Sequence, residues 1–304
     1  MTIIVAGYTG LVGSAIYELL LARSETVIGI NSKVVNLIDR QATFEFINDH
    51  KPNIVIDAAA IVGGIGANNS FPVDFLSKNL QMQNNLMDAS HAANVERFVF
   101  LGSSCIYPRD CPQPIKEEYL LTGPLESTNS AYAIAKIAGI ELVKSYRKQF
   151  NRRWISLMPT NMYGPRDNFD LNTSHVLPAL INRFVTAMRT GASEVTLWGT
   201  GAPKREFLHS RDLASAVLMA IEKYDSDLHL NVGTGEDLTI KDLAHLVGIL
   251  AGFKGQTLWD ATKPDGTPRK VMDVSRLKAM GWNPKIGLED GIQETIRWFE
   301  ANNN

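Results

Sequence analysis

Tyr132 and Lys136 stand four residues apart in the run Ser130-Ala131-Tyr132-Ala133-Ile134-Ala135-Lys136, and Ser103 closes an apolar stretch upstream of them. Residues at that spacing share one face of a helix. An ammonium beside a phenol favours the phenolate, so the pair is expected to lower the phenol pKa until Tyr132 can exchange a proton with a substrate oxygen near neutral pH. Taken alone, the spacing is also that of an ordinary solvated helix face. A glycine turn at the start of the chain gives it weight.

That turn is Ile3-Ile4-Val5-Ala6-Gly7-Tyr8-Thr9-Gly10-Leu11-Val12-Gly13, an apolar strand running through glycines into a helix. Gly7 permits the tight turn, Gly10 lets a pyrophosphate approach the backbone, and Gly13 lets the helix pack on the strand. The helix start then offers free N–H groups and the positive dipole end to phosphate. The alternative is a tight turn that holds nothing. NAD-binding versions place a carboxylate at the end of the second strand. Here that position reads Gly29-Ile30-Asn31-Ser32-Lys33, without an acid. NADP is therefore the expected cofactor, with Lys33 as counter-charge to its 2′-phosphate; otherwise Lys33 is an ordinary surface lysine.

The elements needed to position these residues alternate. Strands are expected at Thr2–Ala6, 27–30, 54–58, Arg97–Leu101 and 154–158, with helices at 11–21, Arg40–His50, 75–93 and 130–147 between them. Fully apolar strands alternating with helices predict an α/β fold, a Rossmann-type doubly wound parallel sheet. Gly7, Ser103 and Thr160 fall at strand ends, where such sheets bind ligands. After Pro159 the texture changes. A polar loop covers 161–172, a helix Val176–Thr190, a strand Glu194–Trp198, and Phe207–His209 with 211–224 is expected to rejoin the sheet. Helices at 242–251 and Leu288–Asn302 follow. The expected division is a dinucleotide-binding domain over 1–160, with a return segment near 205–232, and a smaller C-terminal α/β substrate domain over 161–304.

The chain has 304 residues, a formal net charge of −2 and only two cysteines, Cys105 and Cys111. So even a balance argues against a nucleic-acid binder. No apolar run reaches membrane-spanning length, and no secretory leader pattern opens the chain. Two cysteines make no disulfide framework and no metal site by themselves. The expectation is a soluble cytoplasmic protein without a metal.

The glycine turn, Ser103 and the Tyr132/Lys136 pair resemble the extended short-chain dehydrogenase/reductases. Longer stretches resemble the GDP-L-fucose synthase family within them: Ala58-Ala59-Ala60-Ile61-Val62-Gly63-Gly64-Ile65-Gly66-Ala67-Asn68, Phe100-Leu101-Gly102-Ser103-Ser104-Cys105-Ile106-Tyr107-Pro108 and Met158-Pro159-Thr160-Asn161-Met162-Tyr163-Gly164-Pro165. Asn168-Phe169, Ser174-His175-Val176, Trp198-Gly199-Thr200-Gly201, Arg205-Glu206-Phe207-Leu208-His209 and Lys263-Pro264-Asp265-Gly266-Thr267-Pro268-Arg269-Lys270 extend the likeness nearly end to end. Family members often carry one basic residue at the position of Thr9 and another near Ser32; here Thr9 and Ser32 stand there, with Lys33 alone as the cation of that turn.

The resemblance implies conversion of GDP-4-dehydro-6-deoxy-D-mannose to GDP-L-fucose, by epimerisation at C3 and C5 and reduction at C4 with NADPH. Protons at C3 and C5 are acidic because both carbons flank the C4 ketone, and their removal leaves an enolate on the C4 oxygen. Hydroxyls aimed at that oxygen stabilise the enolate and also polarise the ketone for reduction. Ser103 and Tyr132 suit that shared role, with Lys136 holding the cofactor ribose. The resemblance makes Cys105 the base and His175 the acid, both expected to titrate near neutrality; without it, each has a bland reading as a buried small hydrophobe or a capping residue. Cofactor contacts are implied at Tyr8, Thr9, Leu11, Val12, Ser32 and Lys33, besides the three glycines. Leu101, Gly102, Ser104, Pro159, Thr160, Asn161, Met162, Lys136 and His175 complete that implied set. Arg183, Trp198, Arg205 and Asp265 match the family's substrate positions. A homodimer is implied, joined through the helices at 75–93 and 130–147. A reductase for another GDP-4-keto sugar (a deoxyheptose or dideoxyhexose), a redox-neutral nucleotide-sugar 4-epimerase and a silent NADP-sensing module are the alternatives.

Overall fold

Valine, isoleucine and phenylalanine fill the runs that become strands, and such side chains suit a sheet buried on both faces. The computed structural model describes residues 1–263 and 265–303, so Pro264 of the quoted loop and Asn304 lie outside the described residues. The strands are β1 (Thr2–Ala6), β2 (Thr26–Ile30), β3 (Ile54–Asp57), β4 (Arg97–Leu101), β5 (Ile155–Pro159), β6 (Asn161–Tyr163) and β7 (Glu194–Trp198). Shorter ones follow as β8 (Lys204–Arg205), β9 (Phe207–His209), β10 (Leu230–Val232), β11 (Leu238–Thr239), β12 (Gln256–Asp260) and β13 (Arg269–Lys270).

Six strands form one sheet in the order β10-β5-β4-β3-β1-β2, parallel throughout. The order turns back between β1 and β3, which opens a crevice beyond their carboxyl ends. Among the helices, α1 (Leu11–Ala22), α2 (Arg40–His50), α3 (Ile65–Ser70), α4 (Asn79–Ala92), α5 (Ser130–Phe150) and α6 (Val176–Thr190) precede α7 (Ser210–Lys223), α8 (Ile240–Leu250), α9 (Ser275–Ala279) and α10 (Leu288–Asn302). Helix α4 packs against α2 and α5, and α1 against α7.

The buried apolar residues fall into two clusters. One wraps the six-stranded sheet and takes in Leu213–Val232 side chains from α7 and β10 as well as Met272, Val274, Leu277 and Trp282. The second joins α6, α8 and α10, with Phe184, Val247 and Ile296 at its centre. Helix α7 packs on α1, and β10 pairs with β5 at the edge of the sheet.

Two local expectations are corrected. The continuous helix expected over 75–93 begins as a π-turn at Asp74–Lys78 before α4. The extra residue lets Asn79 clasp the loop after β3: its Oδ1 accepts from the Ile61 N–H at 2.8 Å and its Nδ2 donates to the Ile61 carbonyl at 3.0 Å. The polar loop expected over 161–172 begins with β6, which pairs in parallel with β9. Its three residues are too few for periodicity to reveal, and the partner that satisfies their backbone lies far along the chain.

Candidate active site

The crevice is lined from the backbone first. Gly7 adopts φ +77° after β1, and its N–H donates to the Ile30 carbonyl at 2.8 Å, joining the ends of β1 and β2. A Cβ on Gly7 would meet the Ala58 carbonyl at 2.7 Å, and one on Gly13 would meet the Gly7 carbonyl at 2.1 Å. Both therefore need glycine, Gly7 also for its left-handed φ. At Gly10 the nearest atom to such a Cβ lies 3.5 Å away, so this exposed position keeps room for a ligand against the backbone. Gly10 caps α1 without a side-chain hydrogen bond, and Leu11 and Val12 open its first turn, whose amides have no intrahelical acceptor. The turn fits a dinucleotide pyrophosphate.

Other implied cofactor positions differ in how they face this turn. The Tyr8 ring lies over Gly29 and tilts against Tyr17 at 5.1 Å, so its side chain packs within the protein. Thr9 is exposed. At the end of β2 the Asn31 side chain accepts from the N–H groups of Lys33 and Val34 at 3.0 and 3.2 Å, which leaves Ser32 and Lys33 exposed beside the crevice. A cationic chain there suits a 2′-phosphate.

Beyond β4, Gly102 continues the sheet by donating to the Leu157 carbonyl at 2.9 Å, and Ser103 and Ser104 lead into a short turn carrying Cys105. The Ser103 hydroxyl oxygen accepts from the Cys105 N–H at 3.4 Å. Lys136, 3 % exposed on α5, donates through Nζ to the Leu101 carbonyl at 2.8 Å. Its ammonium lies 5.8 Å from the centre of the Tyr132 ring, and that ring meets Phe75 edge-on at 6.2 Å. Pro159 at the end of β5 and Thr160 after it are buried, Asn161 and Met162 partly so. Thr160 and Asn161 hold the Glu206 carbonyl at 3.4 and 2.8 Å. Ser103, Cys105, Tyr132 and Lys136 thus gather at one sheet edge.

The electrostatics correct the expected titrations. Tyr132 is raised well above the ordinary phenol value, first by burial, then by the negative charges of Cys105 and Asp57. Burial and the negative charges around it act in the same direction, so Tyr132 is kept as a protonated phenol and not a phenolate. Cys105 is raised by burial, with Lys270 the main charge opposing it. His175 stands exposed at the start of α6, yet the protein around it and the Lys270 ammonium hold its pKa below the usual imidazole value. Lys270 therefore acts on Cys105 and His175 together. Only its register beside Arg205, on β13 against β8, brings it to the crevice.

The implied substrate residues split. Arg205 donates to the Thr267 carbonyl at 2.6 Å; burial lowers its pKa and the Asp265 carboxylate offsets this. Asp265 accepts from the Thr200 N–H and hydroxyl at 2.9 and 2.6 Å, which fixes the loop at Gly199. Trp198 is 69 % exposed, with Lys263 Nζ 5.8 Å from its ring centre. A flat face so open suits a base. Arg183, partly buried on α6, makes no side-chain hydrogen bond among the described residues. All four lie in the part of the chain that follows β5.

A parallel sheet with a glycine turn at its switch point and a Tyr–Lys helix beside it defines a dinucleotide-dependent reductase or epimerase. Residues 3–233 match the NAD dependent epimerase/dehydratase family, and the chain belongs to it. Among its relatives, the protein named probable GDP-L-fucose synthase 1 of Oryza sativa subsp. japonica is 51 % identical over 302 residues, covering 99 % of this chain and 92 % of its own. The GDP-L-fucose synthase of Escherichia coli (strain K12) is 46 % identical over 310 residues, covering 99 % and 97 %. A crystal structure of a GDP-L-fucose synthetase from Naegleria fowleri bound to NADP superposes with a TM-score of 0.91 at 30 % identity, covering 99 % of this chain and 94 % of that one.

Proposed function

We infer that this chain is a GDP-L-fucose synthase-type enzyme: it epimerises C3 and C5 of GDP-4-dehydro-6-deoxy-D-mannose and reduces C4 with NADPH. The observation that carries the reading is geometric: Ser103 and Cys105 share one short turn at the end of β4, Lys136 of the Tyr132 helix is bonded to the Leu101 carbonyl beside it, and β13 brings Lys270 to bear on both Cys105 and His175. A reductase without epimerisation has no use for a thiol and an imidazole served by one charge.

In this reading Cys105 removes the C3 and C5 protons, and Lys270 favours its thiolate against burial. Ser103 and Tyr132 donate to the C4 oxygen while the enolate exists. His175 returns the proton from the opposite face. When bound, NADPH supplies the hydride for C4. Tyr132, held as a phenol, gives its proton to the resulting C4 alkoxide, and Lys136 orients the ribose. Arg205 grips the diphosphate of the substrate, Arg183 assists, and Trp198 with Asp265 borders the guanine. The segment after β5 acts as the substrate domain. The enzyme works as a cytoplasmic homodimer through α4 and α5, a view supported by apolar side chains left exposed on α5 at Ile134 and Phe150; sedimentation of the purified protein tests it.

The decisive experiment incubates the protein with GDP-4-dehydro-6-deoxy-D-mannose and NADPH and identifies the product by NMR. GDP-L-fucose with stoichiometric NADPH oxidation is expected. GDP-6-deoxy-D-mannose, or turnover without net NADPH consumption, sinks the reading.

A further inference from the structure

The end of β3 holds a carboxyl group that the reaction above does not use. Asp57 is 2 % exposed, in register with Ala6 of β1 and Phe100 of β4. Side chains in register on neighbouring strands point to the same face of a sheet. The Phe100 ring faces α5, where a Cβ on Gly139 would meet it at 2.3 Å. Asp57 therefore also faces α5, on the side where Lys136 Nζ lies 4.8 Å from the Phe100 ring centre. Its Oδ1 accepts from the Ala59 N–H at 3.2 Å, while its Oδ2 is buried without a hydrogen-bond partner among the described residues. Burying an unpaired carboxylate oxygen is costly unless a nearby charge compensates it. The nearby charge is Lys136.

We propose that Asp57 is the counter-charge of Lys136 and, through it, a positioning residue for the reduction, keeping the buried ammonium charged and the Tyr132 phenol protonated. This rests on the proposed function for its reaction, though not for the influence of one charge on the other. Lys136 and Tyr132 face this carboxylate from α5, and Cys105 acts on both from the turn after β4; β1 and β4 offer only Ala6 and Phe100 in register. Burial pushes the Asp57 carboxyl up to about 6, with Lys136 opposing. Burial lowers Lys136, and Asp57 is the main charge opposing that. The Asp57 charge adds to the raised pKa of Tyr132. Removing it moves Lys136 and Tyr132 the same way, toward earlier loss of their protons as pH rises. The alkaline limit of the reduction must then come at lower pH.

Asp57→Asn keeps the shape and the acceptor for Ala59, and Asp57→Leu removes charge and polarity together. Steady-state NADPH oxidation across pH is expected to fall about tenfold in kcat at about pH 8.5 for both variants, with little loss near neutrality and a smaller change in KM. Asp57→Glu is expected to recover part of the alkaline activity. A role in packing alone lowers activity at every pH instead. Alkaline limbs that coincide with wild type in folded Asp57→Asn or Asp57→Leu protein overturn the proposal. A second readout needs neither substrate nor variants: in wild-type protein carrying isotope-labelled lysine, the Lys136 side-chain NMR signal should step as Asp57 titrates near about pH 6. A Lys136 signal flat through that range overturns the proposal even where the variants do not fold. Absence of turnover by wild type, with the NMR step present, instead counts against the functional reading alone.

Discussion

Lys136 Nζ donates to the carbonyl oxygen of Leu101 at 2.8 Å, so the last residue of β4 fixes an ammonium that α5 carries. That bond aims the charge across the strand end and leaves it 5.8 Å from the Tyr132 ring centre. Tyr132 is then a proton donor in a buried setting and not a preformed phenolate.

Tyr132→Phe therefore removes the proton given to C4 and keeps the packing against Phe75. NADPH oxidation with substrate is expected to fall by about 10²–10⁴-fold. NADPH affinity, followed by fluorescence titration, should stay near wild type. Wild-type turnover by this variant removes Tyr132 from the mechanism.

Cys105→Ser tests the base. A serine hydroxyl is a far weaker base than a thiolate near neutral pH, so deuterium exchange from D₂O into C3 and C5 should be suppressed. The Ser103/Tyr132/Lys136 set remains, and reduction of unepimerised ketone should persist as GDP-6-deoxy-D-mannose or its C4 epimer. Mass spectrometry of the product reads both. Exchange at the wild-type rate moves the base elsewhere.

Lys270→Gln takes away the cation that opposes the raised pKa of Cys105. Loss of a positive charge makes the thiolate harder to form, so the pH dependence of C3/C5 exchange should move to higher pH. His175, freed of the same charge, should hold its proton to higher pH as well. Exchange rates measured against pH in both proteins decide it, and superimposable profiles refute the role given to Lys270.

Lys33→Ala should reduce the preference for NADPH over NADH, by about tenfold in the ratio of kcat/KM if the side chain meets the 2′-phosphate. An unchanged ratio assigns that phosphate to other groups.

Gly13→Ala should cost about 1–3 kcal/mol of stability, the usual range for overpacking, because its Cβ falls 2.1 Å from the Gly7 carbonyl. A lowered Tm and weakened NADPH binding are expected together, since the same shift spoils the turn. A variant with unaltered Tm contradicts the close packing of α1 on the turn.

What could be read from the chain by itself was local. The glycines at 7, 10 and 13, the strand Thr2–Ala6 and the helix Arg40–His50 depend on nearest neighbours and on periodicity. The parallel sheet followed from apolar strands alternating with helices, and the gathering of Ser103 with Tyr132 and Lys136 from strand ends on one edge. The pairing of β10 beside β5 and the existence of β6 were not legible, because a three-residue strand is held by a distant partner. The charge states could not be read from spacing. Y-x-x-x-K implied a lowered phenol, and burial reversed the sign. Asp57 and Lys270 carried no role that spacing or composition could assign. Register set one opposite Phe100 and the other beside Arg205. Charges act through space in a medium that folding makes apolar, so their partners and their titration belong to the tertiary structure.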